Sequence, residues 1–215
     1  MTSIAERTVL RALAPRRTSY TEEINRLIAA CLAVSERTGN FDPRVGDILA
    51  EAGLSNQAFY RHFQSKEELL LAVLDEGSRQ LDAYLRKRMG AQADPIGKVR
   101  AWVRGFAAQA IRPKAAAATR PFMFPSARLY ERFPEEIPAV EQQFVGSLTE
   151  ALAAAKAAGE TRPDLEPAAD GIFIYDLVKN WLERQLRDKP LPPEAEIARR
   201  AEKLEAFVMR AVGAA

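Results

Sequence analysis

With 215 residues, 47% hydrophobic and 28% charged, the chain has enough apolar side chain for a real core and enough charge for a soluble surface. A formal net charge of +2 is too small to announce a polyanionic partner in bulk, and a single Cys excludes an internal disulfide framework. No run of about 18 apolar residues could span a bilayer and no apolar stretch follows the first charges as in a secretory signal, so a reducing cytoplasm is the expected setting.

Residues 1–19 show no lasting apolar period, contain Ala-Pro-Arg-Arg and carry four arginines against one glutamate, which predicts a mobile basic arm. Thr21 opens a capping pattern with Glu23 nearby. Ile24, Leu27, Ile28, Cys31 and Leu32 then form an apolar stripe, predicting a first helix that stops near Thr38-Gly39. Asp42-Pro43 reads as an N-cap followed by proline at the first helical position. Val45, Ile48, Leu49 and Ala52 recur at helical spacing until Gly53, a residue favoured just past a helix end. Leu54 is expected as a buried plug, and Ser55 as the cap of a helix reaching about His62. Ser65 to Glu68 reads as a capping box opening a long helix, which Leu69, Leu70, Val73, Leu74, Leu81 and Leu85 keep amphipathic toward about Met89.

Beyond the Gly90–Pro95 break five further helices are predicted, approximately 96–111, 121–132, 136–158, 167–187 and 194–212, punctuated by prolines. No β-alternation is sustained and no internal repeat occurs. The predicted fold class is all-α. A mobile arm on 1–19 precedes a three-helix head on 20–66 and a larger helical body on 67–215. Between Pro95 and Arg128 the chain holds Lys98, Arg100, Arg104, Arg112, Lys114, Arg120 and Arg128 without one acid, whereas 131–170 is predominantly acidic. Such runs are ordinarily solvated helix faces. One His and one Cys, both in the head, leave no metal cluster and no Cys/His nucleophile pair in the body. Neither an enzyme, a metal site nor a cofactor is therefore predicted.

A helix, a tight turn containing Gly and a second helix form the layout of a DNA-reading helix-turn-helix, whose second helix is narrow enough for a major groove. There Asn56, Gln57 and Arg61, with Ala58 as a lesser candidate, would face base edges; Asn and Gln can pair bidentately with adenine and Arg with guanine. Phe59 and Phe63, four apart, would be core. Lys66, in the first turn of the long helix, would meet a phosphate together with the N–H groups exposed there. The segments AGLS, FYRHF and SKEELL resemble the N-terminal domain of the TetR (tetracycline-repressor-like) family of bacterial transcriptional regulators, over roughly Tyr20 to Leu74. The Tyr-x-His-Phe-x-Ser-Lys-Glu run is the most specific part; the rest of the chain is similar only in length and helical character. The resemblance implies DNA-backbone contacts from Tyr60 and His62, whose hydroxyl and ring N–H can donate to phosphate, alongside Ser55 and Lys66. For His62 the alternative is a satisfied hydrogen bond inside the head. The chain departs from the family at Arg44, where threonine is usual, at Leu49, where alanine is usual, and at Gln57, often a small residue. Arg44 could still reach a phosphate with its longer arm.

In the body, Trp102, Phe106, Phe122, Phe124, Tyr130, Phe144 and Tyr175, with Met123 and Phe173, are candidates to line an effector cavity, although aromatics at helical spacing are more often plain core. The resemblance implies a small molecule bound between central helices and a relay through the fourth helix to the head. A ligand acts as inducer when its affinity differs between DNA-competent and incompetent states. Arg100, Arg104, Arg112 or Arg120 at the mouth would suit an anionic amphiphile such as an acyl-CoA. Leu177, Trp181, Leu204, Phe207 and Val208 could complete the monomer core; the family instead implies a four-helix dimer interface there. A two-fold dimer would place its recognition helices about one DNA turn (~34 Å) or a multiple apart on a near-palindromic operator. The expected function is a ligand-responsive DNA-binding regulator, a repressor by family default. Its partners would be double-stranded DNA, a small apolar or amphiphilic effector and a second copy of itself, with no membrane. The alternatives are a helical protein-interaction module, or a DNA-binding protein with no effector.

Overall fold

A computed structural model describes residues 4–124, 127–187 and 190–213, with side chains from Ser19 onward. The described residues form helices and no strand. In chain order these are α1 (Ile4–Thr38), α2 (Val45–Ala52), α3 (Asn56–His62), α4 (Lys66–Gly90), α5 (Pro95–Ile111), α6 (Pro113–Met123), α7 (Ala127–Arg132), α8 (Glu136–Ala157), α9 (Pro167–Arg187) and α10 (Glu194–Ala211). The all-α class is as the sequence predicts. The chain divides into two compact units, one up to Val73 and one from Leu74 on, and the division falls within α4.

In the first unit, α1 begins far earlier than Thr21 and runs through the segment expected to be an arm. Strong helix formers from Ala5 to Ala14 carry it by propensity, where an apolar period gives no signal. The start of α2 also differs from expectation. Arg44, in extended backbone (φ −73°, ψ 141°), is its N-cap and makes no side-chain capping bond. Asp42 is engaged elsewhere: its carboxylate lies 2.5 Å from Lys66 Nζ, and its backbone N–H donates to Asn40 Oδ1 at 3.0 Å.

Gly53 ends α2 in the left-handed conformation at φ 61°. The carbonyls left open at that end find a donor on α1, for Arg26 Nη2 donates to Ala52 O at 2.6 Å. Ser55 Oγ accepts the Ala58 N–H at 3.2 Å and starts α3. At the next turn Ser65 Oγ accepts the Glu68 N–H (3.2 Å), while the Glu68 carboxylate accepts the Gln64 N–H (2.6 Å). The expected capping box is thus present, with its return bond displaced by one residue. Leu27, Val34, Phe41, Ile48, Phe59, Phe63, Leu69 and Leu70 close this unit's core. Leu54 is only half-buried.

The second unit is built around α5, whose Val99, Trp102, Val103, Phe106, Ala107 and Ala110 are all buried. Phe144, Leu148 and Leu152 of α8, Ile174, Tyr175, Val178 and Leu182 of α9, and Ile197, Leu204 and Val208 of α10 pack into the same core. A Cβ on Gly105 would lie 2.7 Å from Leu85 Cδ2, so the bare backbone is what lets α4 approach α5. The single helix expected over 121–132 is instead the pair α6 and α7. Pro113 at the first turn and the Lys114–Thr119 run start α6 early, and Pro121 is tolerated in its last turn, where only one backbone bond is forfeited.

Candidate functional site

The recognition candidate α3 has two unlike faces. Ala58 and Phe59 are buried, whereas Asn56, Gln57 and Tyr60 are exposed, Tyr60 at 65%. Ala58 is therefore no groove-facing residue; its N–H and methyl belong to the cap and the core. Phe59 and Phe63 are core, as their spacing requires, with ring centroids 5.8 Å apart. Arg44 is exposed at the head of α2. Ser55 Oγ is spent on the cap of α3, and Lys66 is held by Asp42.

Glu23 of α1, which the sequence offered only as part of a cap, is the hub at the other end of α3. Its Oε2 lies 2.5 Å from His62 Nε2 and 3.3 Å from Arg61 Nη1. The His62 side chain is only 4% exposed, so its ring N–H serves this internal bond and not a phosphate. Arg61 is likewise occupied: besides Glu23 it lies 5.7 Å over the Tyr20 ring, which itself meets the His62 ring edge-on at 5.2 Å. The hydrogen bond from His62, and then the Arg61 charge, hold the Glu23 carboxyl below the usual glutamate range despite some desolvation. Cys31, buried on α1, has its thiol pushed up to about 12 by desolvation.

In the second unit four of the seven expected cavity aromatics form one cluster. Trp102 stacks on Phe106 at 5.1 Å, and Phe106 meets Phe144 and Tyr175 edge-on at 5.7 and 6.1 Å. All four are buried, and the indole Nε1–H of Trp102 has no hydrogen-bond partner among the described residues. Phe122 is half-buried against α4, where a Cβ on Gly77 would come within 2.6 Å of its ring. Phe124 and Tyr130 are exposed and stand outside the cluster, and Phe173 faces out at 69%.

One polar pair borders the cluster: Lys179 is bonded to Glu141 and sits 5.8 Å over the Tyr175 ring. Burial pulls the Lys179 ammonium down, but Glu141 outweighs it and leaves it above the ordinary lysine range. Burial pushes the Tyr175 phenol up. Of the arginines expected at a pocket mouth, Arg104 and Arg100 both pair with Glu205 of α10, at 2.5 and 3.5 Å, and Arg120 donates to Arg187 O at 2.8 Å. Arg112 is exposed.

The residues expected at a dimer interface separate in the same way. Leu204 and Val208 are buried in this chain's own core, and the half-buried Trp181 packs against it with part of its surface open. Leu177 and Phe207 are exposed, and Ile172 and Phe173 join them. The signal was present in the run Ile172–Tyr175: four consecutive apolar residues cannot all face one side of a helix. Among the described residues no helix is long and apolar enough to cross a membrane, and no three His, Cys, Asp or Glu side chains are grouped to hold a metal.

Residues 43–73, which span α2, α3 and the start of α4, match the family model of bacterial regulatory proteins of the tetR family. None of the curated proteins matches the sequence. Solved structures share the fold. A TetR-family transcriptional regulator from Pectobacterium atrosepticum superposes with a TM-score of 0.72 at 20% identity, over 91% of this chain and 96% of that one. The transcriptional regulator FadR from Bacillus subtilis, in complex with stearoyl-CoA, gives 0.68 at 16% identity, over 85% and 96%. The fatty acid degradation regulator FadR from Bacillus halodurans gives 0.67 at 20%, over 85% and 94%. Residues 43–73 are thus similar to the helix-turn-helix of the tetR family, and the chain shares its fold with solved TetR-family transcriptional regulators.

Proposed function

We propose that the chain is a ligand-responsive transcriptional repressor that binds a near-palindromic DNA site as a two-fold dimer and is released by a small effector held in its helical body. The observation that carries the DNA half is the division of α3, with Asn56, Gln57 and Tyr60 outward and Ala58 and Phe59 in the core. In this reading Asn56 and Gln57 address bases, while Tyr60 and Arg44 meet phosphates, with Lys66 joining them once it leaves Asp42. Arg61 and His62 are withdrawn from the contact set because Glu23 holds both.

The effector half is supported by the Trp102, Phe106, Phe144 and Tyr175 cluster, where a buried indole N–H lacks an acceptor among the described residues. An unsatisfied buried donor costs about 1–3 kcal/mol, which a ligand carbonyl or ether would recover. That chemistry fits an apolar molecule with a neutral acceptor, a thioester among them. The FadR of Bacillus subtilis, bound to stearoyl-CoA, gives the acyl-CoA candidate further support. The pairing of Arg100 and Arg104 with Glu205 argues against those two as headgroup ligands.

A mobility shift with the DNA upstream of the chain's own gene tests both halves. The native chain is expected to shift it, Asn56→Ala with Gln57→Ala to abolish the specific shift, and stearoyl-CoA to release the native complex. A double variant that binds as tightly as the native chain would overturn the assignment of α3. If acyl-CoA has no effect while a neutral apolar compound releases the DNA, the acyl-CoA candidate fails.

A further inference from the structure

We infer that Glu23 is a specificity-determining residue of the head: it occupies the place of a phosphate on Arg61 and so keeps that arginine off the DNA backbone. The inference rests on the DNA-binding reading above and goes beyond it by assigning a role to a residue of α1 that touches no nucleic acid.

Three observations carry it. A single carboxylate oxygen, Glu23 Oε2, takes both the Arg61 guanidinium at 3.3 Å and the His62 ring at 2.5 Å. Arg61 is nonetheless 41% exposed, so without that carboxylate its guanidinium could reach solvent or a phosphate, whereas Glu23 itself is 20% exposed and His62 4%. Tyr20 completes the clamp, edge-on to His62 and beneath Arg61. The charged groups acting on Glu23 are Arg61, His62 and Arg26, and the last is itself committed to the Ala52 and Gly53 carbonyls.

The pair at the start of α4 differs: the Asp42 carboxylate that meets Lys66 is 46% exposed, against 20% for Glu23, and so can release its cation to a phosphate. A cation that meets only phosphate adds affinity for every sequence alike and none for a particular one. Cancelling Arg61 lowers the non-specific background against which Asn56 and Gln57 must discriminate. His62, the other partner of Glu23, fixes where the carboxylate sits, so the clamp is placed by the core.

The test measures binding of the full chain to its upstream DNA and to a mixed-sequence duplex over a range of salt. Glu23→Gln keeps the shape of the side chain and removes the charge. It is expected to raise mixed-sequence affinity roughly five- to tenfold near 0.1 M salt, and to steepen log K against log salt by about 0.9, the yield of one more phosphate contact. Adding Arg61→Gln should cancel both changes. A merely structural role would lower binding to both duplexes together with Tm and would not steepen the slope.

Should Glu23→Gln fail to fold, Arg61→Gln alone decides: a slope shallower by the full ~0.9 would mean that Arg61 already contacts phosphate, and the inference falls. An unchanged slope in Arg61→Gln supports it. Native binding with Glu23→Gln unchanged on both duplexes overturns the inference and leaves the DNA reading standing. A native chain that binds neither duplex overturns the DNA reading, and this inference with it.

Discussion

At Gly53 the backbone adopts φ 61°, and a Cβ there would also stand 3.3 Å from Arg26 Nη2. Gly53→Ala is expected to destabilise the head by about 1–2 kcal/mol, the cost of the left-handed region for a residue with a side chain. Ser55→Ala, which strips the Ala58 N–H of its acceptor, should cost about 1 kcal/mol. Urea unfolding followed by circular dichroism reads both. Glu23 adds a pH dependence. Its carboxyl titrates lower in the folded chain than the ordinary 4.5, so the stability it contributes is present above that value and is lost as pH falls through the depressed one. Acid unfolding of Glu23→Gln should lack that step. Gly53, Ser55, Phe59 and Phe63 were legible in the sequence because each acts through local backbone or i,i+4 geometry. Glu23 was not. Its partners lie on α3, and such a pairing exists only once α1 is folded against it. Asp42 was misplaced for the same reason, its carboxylate serving Lys66 instead of the adjacent helix.

Helix positions followed from sequence wherever an apolar period met a proline or glycine stop, as α9 on Pro167–Arg187 shows. They did not follow where propensity acts without periodicity. Early α1 and the alanine-rich start of α6 are helical although no stripe announces them. Periodicity also could not say which of two apolar faces stays inside. On α10, Leu204 and Val208 fill the core while Phe207 remains 54% exposed, and on α9 Leu177 shares an outward face with Phe173. Exposed aromatic and branched side chains on consecutive helices are what a partner surface needs. Leu177→Glu combined with Phe207→Glu should therefore leave helicity and Tm near native values. Sedimentation at micromolar concentration should then show the native chain as the proposed dimer and the variant as a monomer. A variant that sediments like the native protein would remove these two residues from the interface.

At the scale of the molecule, a head with one exposed polar face and a body with a buried aromatic cluster are joined by α4, one continuous helix from Lys66 to Gly90. Effector action requires that the two halves share an equilibrium, and a ligand shifts it only by its difference in affinity for the two states. The sequence announced the head in detail because a helix-turn-helix needs a left-handed glycine, a capping serine and core aromatics at fixed spacing, here Gly53, Ser55, Phe59 and Phe63. It announced the body only as helices, since its packed apolar side chains follow no motif of fixed spacing. The central claim is that α3, from each of two copies, reads DNA. Hydroxyl-radical footprinting of the full chain on its upstream DNA tests it most directly. The prediction is two protected half-sites related by a near-palindrome, centred about one DNA turn (~34 Å) or a whole multiple apart, and lost with Asn56→Ala and Gln57→Ala. A single protected stretch without two-fold symmetry, or a footprint that survives both substitutions, would contradict it.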